Sequence, residues 1–162
     1  MVRQSDLWAT PPSLVEWVRN LAGWGRFDFD PCAEPATAKA DRYITPTTGD
    51  GLSDPWLGST IWLNPPYSRQ SLWLARAAEE GRTKRVAALV MPSFDAAYWR
   101  PFVWESAQEV WMLQGRIAFL RNGVPCPGSN VRSCVIIYDP TAQTNHPLKP
   151  ANPRVRLLKP DY

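Results

Sequence analysis

The apolar run Ile61-Trp62-Leu63 is followed at once by Asn64-Pro65-Pro66-Tyr67, and this junction limits the folds open to the chain. Proline has no N–H to donate and a fixed φ, so a strand that includes the apolar run must end there. The same prolines form a rigid wall of carbonyl acceptors without neighbouring donors. The sequence therefore predicts a strand whose carboxyl end carries an amide, a fixed carbonyl and an aromatic ring.

These groups suit an exocyclic amine on a flat ring. The Asn64 side-chain oxygen and the Pro65 carbonyl would accept the two hydrogens of the amine, and Tyr67 would stack on the ring. Held in this way, the amine has its lone pair ready to attack an electrophilic methyl group. An ordinary turn that ends a strand, with Tyr67 half buried, is the alternative when these residues are considered alone.

Length and composition favour one globular domain with a real core. The chain has 162 residues, of which 44% are apolar and 20% are charged, as in typical globular proteins. The net charge of +3 permits a polyanionic partner without requiring one. Tryptophan is common, with 9 residues, and it offers flat surfaces for stacking on bases.

Metal and membrane sites are not expected. The soft ligand candidates are Cys32, Cys126, Cys134 and His146, and they lack metal-ligand spacing, so we predict no metal site. An odd number of cysteines without paired spacing indicates a reducing compartment. The N-terminus is polar and no apolar run reaches membrane-spanning length, so we expect a protein of the cytoplasm.

Helical spacing appears in two places. Leu14, Val15, Val18 and Leu21 predict a helix that Thr10 caps and Gly23 ends. A second helix is expected over residues 70–80, with an inner side formed by Leu72, Leu74, Ala75 and Ala78.

Strand patterns alternate with these helices. Strands are expected at residues 27–30, 60–63, 85–91, 109–113 and 132–138, with a Gly- and Pro-rich connection over residues 123–128. Alternating strands and helices predict an α/β fold with a mostly parallel sheet covered on both faces. We expect a single catalytic domain over residues 1–140. Residues 141–162 should form a Pro-rich, basic, poorly ordered tail, without a separate target-recognition domain.

A ligand of such a sheet binds beyond the carboxyl ends of its strands. Asp30 ends the first strand, and its carboxylate could bind an ammonium group, such as the amino-acid end of S-adenosylmethionine. Asp50, ahead of the Asn64 strand, could accept from an adenine amine. A helix cap or turn former is the alternative for either aspartate taken singly.

At this point the motifs resemble a known family. Asn64-Pro65-Pro66-Tyr67 matches the catalytic motif of adenine-specific DNA methyltransferases, and Asp30-Pro31-Cys32-Ala33 resembles the start of their cofactor motif. The segment from Trp8 to Pro12 is similar to a cofactor-contacting segment of some members, and residues 115–119 to one that supports the flipped base. The order of these blocks is most similar to the small phage-type DNA adenine methyltransferases.

The resemblance implies a reduced Rossmann-like fold, S-adenosyl-L-methionine as cofactor and DNA as substrate, in a bacterial host. It implies that Asp30 binds the methionyl amine, Thr10 and Pro11 its carboxylate end, and Asp50 the cofactor adenine. Phe119 would pack the base beside Tyr67, and Ser68 and Arg116 would contact DNA. Methylation of RNA adenine or protein glutamine, and a silent nucleic-acid-binding relative, are the alternatives. The resemblance implies no oligomeric state.

Overall fold

A computed structural model of the chain describes residues 8–142 and 153–160. Its helices are α1 (Pro12–Ala22) and α2 (Gln70–Glu80), with short helical turns at Pro35–Thr37, Tyr67–Arg69 and Arg100–Trp104. The strands in chain order are β1 (Phe29–Asp30), β2 (Arg42–Tyr43), β3 (Thr60–Leu63), β4 (Arg85–Val90), β5 (Glu109–Leu113), β6 (Ile117–Arg121), β7 (Val124–Val131), β8 (Cys134–Tyr138) and β9 (Arg154–Leu158).

One large sheet organises these elements. It has seven strands in the order β2-β1-β3-β4-β8-β5-β9. The strands from β2 to β4 are parallel to their neighbours, β8 is antiparallel to both β4 and β5, and β9 is parallel to β5. The predicted α/β class with a mostly parallel sheet is therefore confirmed. Since β1, β3 and β4 are parallel neighbours, the residues that follow them meet at one edge of the sheet.

Helices cover both faces of this sheet. Successive residues of β3 point to opposite faces: Trp62 packs on the α1 side, whereas Ile61 and Leu63 pack on the α2 side. β3 is thus buried on both faces, as its continuous apolar run predicts. Packing on both faces fixes the central strands, so the residues at their carboxyl ends are fixed in position as well.

The start of α1 differs from the prediction. Pro11 occupies the N-cap position, no side chain caps the helix, and Gly23 ends it in the left-handed conformation at φ 66°. Thr10 lies before the cap, and its hydroxyl makes no hydrogen bond to the described residues. The prediction that Thr10 caps α1 is therefore wrong, because Pro11 and Pro12 already fix the entry to the helix.

The inner face of α2 is also rotated from the predicted one. The buried residues are Gln70, Trp73, Leu74, Ala77 and Ala78, and Leu72 is exposed. Their spacing of three and four residues is a regular helical stripe. The predicted stripe began at Leu72 and so missed Trp73, whose large ring takes the inward position.

Residues 154–158 correct the prediction of a poorly ordered tail. They form β9, which pairs in parallel with β5 from Glu109↔Arg154 to Leu113↔Leu158. The guanidinium of Arg156 lies 5.5 Å from the Trp111 ring centre, and its Nη1 donates to the Glu109 carboxylate at 3.4 Å. These contacts fix a segment whose prolines suggested disorder. The predicted tail residues 143–152 and 161–162 lie outside the described residues.

The predicted connection over residues 123–128 is largely strand. β6 and β7 form an antiparallel hairpin, and its turn places Asn122 and Gly123 at φ 52° and 78°. Positive φ at both central residues is the geometry of a tight two-residue hairpin turn, which Asn-Gly favours.

The described helices are all too short or too polar to cross a membrane. Within the same residues, no group of His, Cys, Asp and Glu side chains could hold a metal ion.

Candidate active site

Asn64 stands directly after β3, at the edge of the sheet where the parallel strands end. Its Nδ2 donates to the Trp8 carbonyl oxygen at 3.1 Å. Since the amide nitrogen is occupied in this way, the Oδ1 atom of Asn64 is the acceptor left for a ligand. Asn64 lines a cavity beside it, and Pro65 is buried behind it.

This cavity has a volume of about 680 Å³, which suits a ligand of cofactor size. It lies at the edge formed by the ends of β1 and β3. Most of the predicted site residues line it together: Thr10, Asp30, Pro31, Cys32, Ala33, Asp50, Asn64, Pro66 and Ser68. The structure thus brings the motifs that begin at Asp30 and Asn64 to one cavity, although they are 34 positions apart in the sequence.

Asp30 is the buried acid of the cavity, with 3% of its surface exposed. Its carboxylate accepts the backbone N–H of Cys32 at 3.2 Å and that of Lys39 at 3.1 Å. Burial raises the pKa of Asp30 to about 6, against the opposing effect of these two hydrogen bonds. At neutral pH the cavity therefore contains a largely ionised and poorly solvated carboxylate, which is a strong partner for a cation.

Thr10 supplies a buried hydroxyl to the same cavity. Only 1% of its surface is exposed, and its Oγ1 has no hydrogen-bond partner among the described residues. A buried hydroxyl without a partner costs free energy unless a ligand pairs it. Because Thr10 lines the cavity, its hydroxyl is available to a ligand there.

Asp50 lies on a loop that is packed tightly against the exit of β1. The Asp50 side chain is exposed, and its Oδ1 accepts the N–H of Leu52 at 3.0 Å. A Cβ added at Gly51 would lie 2.0 Å from the Pro31 carbonyl oxygen. Only glycine allows this approach, so Gly51 fixes Asp50 on the wall of the cavity next to Pro31.

Three aromatic rings pack together beside the Asn64 turn. Trp8 stacks on Phe119, with ring centres 5.8 Å apart, and meets the edge of Tyr67 at 6.4 Å. Trp8 lines the cavity, but Tyr67 and Phe119 do not. Phe119 has no exposed surface. The two rings predicted to contact a base are therefore covered in this arrangement, and of these three rings only Trp8 lines the cavity.

The hydroxyl of Tyr67 is not suited to proton abstraction. Burial raises the pKa of Tyr67 well above its ordinary value, although the nearby Ser133 hydroxyl acts in the opposite direction. Tyr67 therefore stays protonated at neutral pH, which leaves its ring as the useful part of the side chain.

The remaining predicted site residues lie outside the cavity wall. Pro11 forms the N-cap of α1, and Arg116 is exposed in the turn before β6. Neither lines the cavity. Arg116 is free to meet a polyanion that approaches the sheet edge from outside.

Sequence reasoning missed several residues of the cavity. Lys39, Gly51, Trp62, Arg69 and Trp73 all line it. The helical stripe from Gln70 points to Trp73, since it lies three residues further on. No sequence pattern places Lys39 in the cavity, because its position depends on how the loop after β1 folds back onto Asp30.

Comparison with known proteins agrees with these motifs. The family model described as DNA N-6-adenine-methyltransferase (Dam) matches residues 1–151. A DNA N-6-adenine-methyltransferase of Haemophilus phage HP1 (strain HP1c1) is 28% identical over 141 residues, which cover 85% of this chain and 80% of the relative. A protein of the same name from Escherichia phage T1 is 23% identical over 151 residues, which cover 82% of this chain and 62% of the relative.

Proposed function

Since this chain belongs to the DNA N-6-adenine-methyltransferase (Dam) family, we propose that it methylates the N6 amine of adenine in DNA with S-adenosyl-L-methionine as donor. The observation that carries this function is that Asn64 lines the cavity while its amide nitrogen donates to the Trp8 carbonyl, which leaves its oxygen for a ligand. The names of both phage relatives favour DNA adenine over RNA adenine or protein glutamine as the substrate.

The polar groups of the cavity fit the amino-acid end of that donor. The Asp30 carboxylate would take the ammonium group, and the unpaired Thr10 hydroxyl would donate to the carboxylate. Asp50 would accept from the cofactor adenine, beside the Pro31, Cys32 and Ala33 wall. When bound, S-adenosyl-L-methionine supplies an electrophilic methyl group.

The turn at Asn64 would hold the base. The Asn64 Oδ1 and the Pro65 carbonyl would accept the two hydrogens of adenine N6, which draws the lone pair of the amine out of the ring. Tyr67 and Phe119 would stack on the flipped base once Trp8 moves aside. The amine would form its N–CH3 bond as the S–CH3 bond of the donor breaks, with S-adenosylhomocysteine as the leaving product, and would then lose one proton to water. No general base would be needed from Tyr67.

The same proposal covers the organisation of the chain. We place the activity on a reduced Rossmann-like methyltransferase domain over residues 1–140, which acts on DNA in the cytoplasm of a bacterial host. Contacts to DNA would come from Ser68, Arg116 and other exposed groups near the cavity. The phage relatives support a phage or prophage origin.

Nucleoside analysis tests the function directly. Unmethylated DNA is incubated with the protein and methyl-labelled S-adenosyl-L-methionine, then digested to nucleosides. We expect the label in N6-methyldeoxyadenosine, and none with Asn64→Ala, whose fold and cofactor binding should remain. Label in methylcytosine, or label transferred only to RNA or protein, would refute the proposal.

A further inference from the structure

Lys39 lies in the cavity, close to the buried acid Asp30. Its backbone N–H donates to Asp30 Oδ2 at 3.1 Å, so the start of its side chain is fixed beside that carboxylate. Both residues line the cavity. Lys39 therefore lines the cavity from a backbone position fixed beside Asp30, and Thr10 lines the same cavity.

The charge of Lys39 is not neutralised by an ion pair. It is half buried, and burial lowers its pKa while attraction to Asp30 acts in the opposite direction. No salt bridge joins Lys39 to an acid among the described residues. Attraction to Asp30 offsets the burial of this ammonium group only in part, because no carboxylate oxygen of the described residues lies within salt-bridge distance of it. An anionic ligand group would relieve the remaining cost.

The cavity thus offers separate partners for two opposite charges. Asp30 is an anion, Lys39 is a cation, and Thr10 is a buried hydroxyl that lacks a partner. Arg69 is the other basic residue that lines the cavity within the described part of the chain, and it belongs to the helical turn after Asn64, where the proposed function places the base. An α-amino acid, with its ammonium and carboxylate on one carbon, complements the Asp30, Lys39 and Thr10 set.

We propose that Lys39 is the counter-ion of the donor's α-carboxylate, which it binds together with Thr10 while Asp30 binds the α-ammonium. This inference rests on the proposed function, because it takes S-adenosyl-L-methionine as the ligand of the cavity. It makes Lys39 a cofactor-selecting residue: the site accepts the complete amino-acid end and discriminates against nucleosides that lack the carboxylate.

Calorimetry with two non-reactive ligands tests the assignment. S-adenosylhomocysteine carries both charged groups, whereas its decarboxylated form, S-adenosyl-3-thiopropylamine, keeps the amine alone. We expect Lys39→Met to weaken S-adenosylhomocysteine about tenfold to one hundredfold, as for a lost hydrogen bond to a charged group. Binding of the decarboxylated form should change by less than about twofold, because its partner group is absent.

The control variants separate this role from general effects. Lys159→Met removes the same charge at an exposed position of the chain and should leave both affinities unchanged, and Lys39→Arg should keep most of the preference for S-adenosylhomocysteine. Unfolding temperatures establish that each variant is folded.

Several results would overturn the inference. Equal weakening of both ligands by Lys39→Met, or no weakening of either, excludes a role in binding the carboxylate. A loss confined to DNA affinity would assign Lys39 to a phosphate instead. If the unmodified protein bound neither ligand, the proposed function would fail as well, and that outcome is distinct from the failure of Lys39 alone.

Discussion

Asn64 has different neighbours for its two amide atoms, and this determines which substitutions it tolerates. The Nδ2 atom donates to the Trp8 carbonyl, and the proposed function assigns the Oδ1 atom to the substrate amine. A carboxylate at position 64 would keep the acceptor but would set a second oxygen against the Trp8 carbonyl. The contact with the Trp8 carbonyl therefore favours an amide over a carboxylate at this position.

We expect Asn64→Asp to reduce the methyl-transfer rate about tenfold to one hundredfold, because two acceptors then face each other without a donor. Single-turnover rates on saturating DNA and cofactor measure the effect, with Asn64→Ala as the reference for complete loss. Binding of S-adenosylhomocysteine should be nearly unchanged. An aspartate variant as active as the unmodified protein would show that the Trp8 carbonyl does not select the amide.

Asp30 gives a prediction about pH and stability. Its pKa rises from 3.8 to about 6 in the folded protein because it is buried. The folded state thus disfavours the ionised form, so the stabilising contribution of the proton is complete below pH 3.8 and is lost as the pH rises through about 6. The acid is retained at a cost in stability, as expected of a ligand-binding group.

Without ligand, we expect Asp30→Asn to increase the free energy of unfolding at about pH 8 by about 1–3 kcal/mol, since it removes a buried charge. The gain should shrink towards pH 4, where Asp30 is protonated in the folded protein. Denaturant titrations at the two pH values measure it. A gain independent of pH, or a loss of stability at pH 8, would contradict the assignment, as would unchanged binding of S-adenosylhomocysteine.

At the scale of elements, the loop that carries Asp50 is held by a contact that only glycine permits. A Cβ at Gly51 would approach the Pro31 carbonyl oxygen to 2.0 Å and the Trp73 ring to 2.8 Å. Neither backbone nor a buried ring can yield easily. The loop must therefore move away from the end of β1 when position 51 carries any side chain.

We expect Gly51→Ala to weaken S-adenosylhomocysteine binding about tenfold and to lower stability by about 1–3 kcal/mol, the usual cost of overpacking. Gly25→Ala is the matched control, because a Cβ there meets nothing within 4 Å and its φ is not positive. Calorimetry and denaturant unfolding measure the two effects. Equal behaviour of the two alanine variants would rule out the close contact.

Local sequence predicted the elements that carry the two motifs but not everything around them. β3 could be predicted because its apolar run and the prolines after it agree on where it ends. β9 and most of β7 could not, since their pairing with β5 and β6 depends on residues distant in sequence. The Asn122-Gly123 turn did mark the β6–β7 hairpin, but the prolines of β7 suggested a loop.

The site divides in the same way. Asn64 and Asp30 follow strands, so a rule about strand ends locates them. Trp8 and Lys39 lie on connecting segments, and two contacts fix their places in the cavity. The backbone of Ala9 hydrogen-bonds to that of Leu120, and the Lys39 N–H donates to the Asp30 carboxylate. No local sequence pattern encodes either contact. For the same reason, the sequence could not predict that Trp8 covers Phe119.

At the scale of the whole molecule, β9 closes one edge of the seven-stranded sheet. It pairs with β5 over its full length, and Arg156 covers Trp111, which is only 2% exposed. Without β9, the edge of β5 would present unpaired backbone groups and part of an apolar ring to water. The segment after Pro153 is thus part of the folded core structure, and the cavity lies at the far side of the same sheet.

We expect a chain that ends at Pro153 to lose about 2–4 kcal/mol of stability, since uncovering a large apolar side chain costs about 1.5–3 kcal/mol and backbone pairing is lost as well. It should also aggregate more readily through the open β5 edge. Leu157→Ser is the control, because Leu157 is 67% exposed in β9 and the strand stays in place. Denaturant unfolding and light scattering measure both effects.

Because the site residues belong to β1, β3 and their loops, the truncated chain should still bind S-adenosylhomocysteine wherever it remains folded. Full stability after truncation would mean that β5 does not depend on β9 for its edge, and the seven-stranded sheet would then be a six-stranded one with an appended strand.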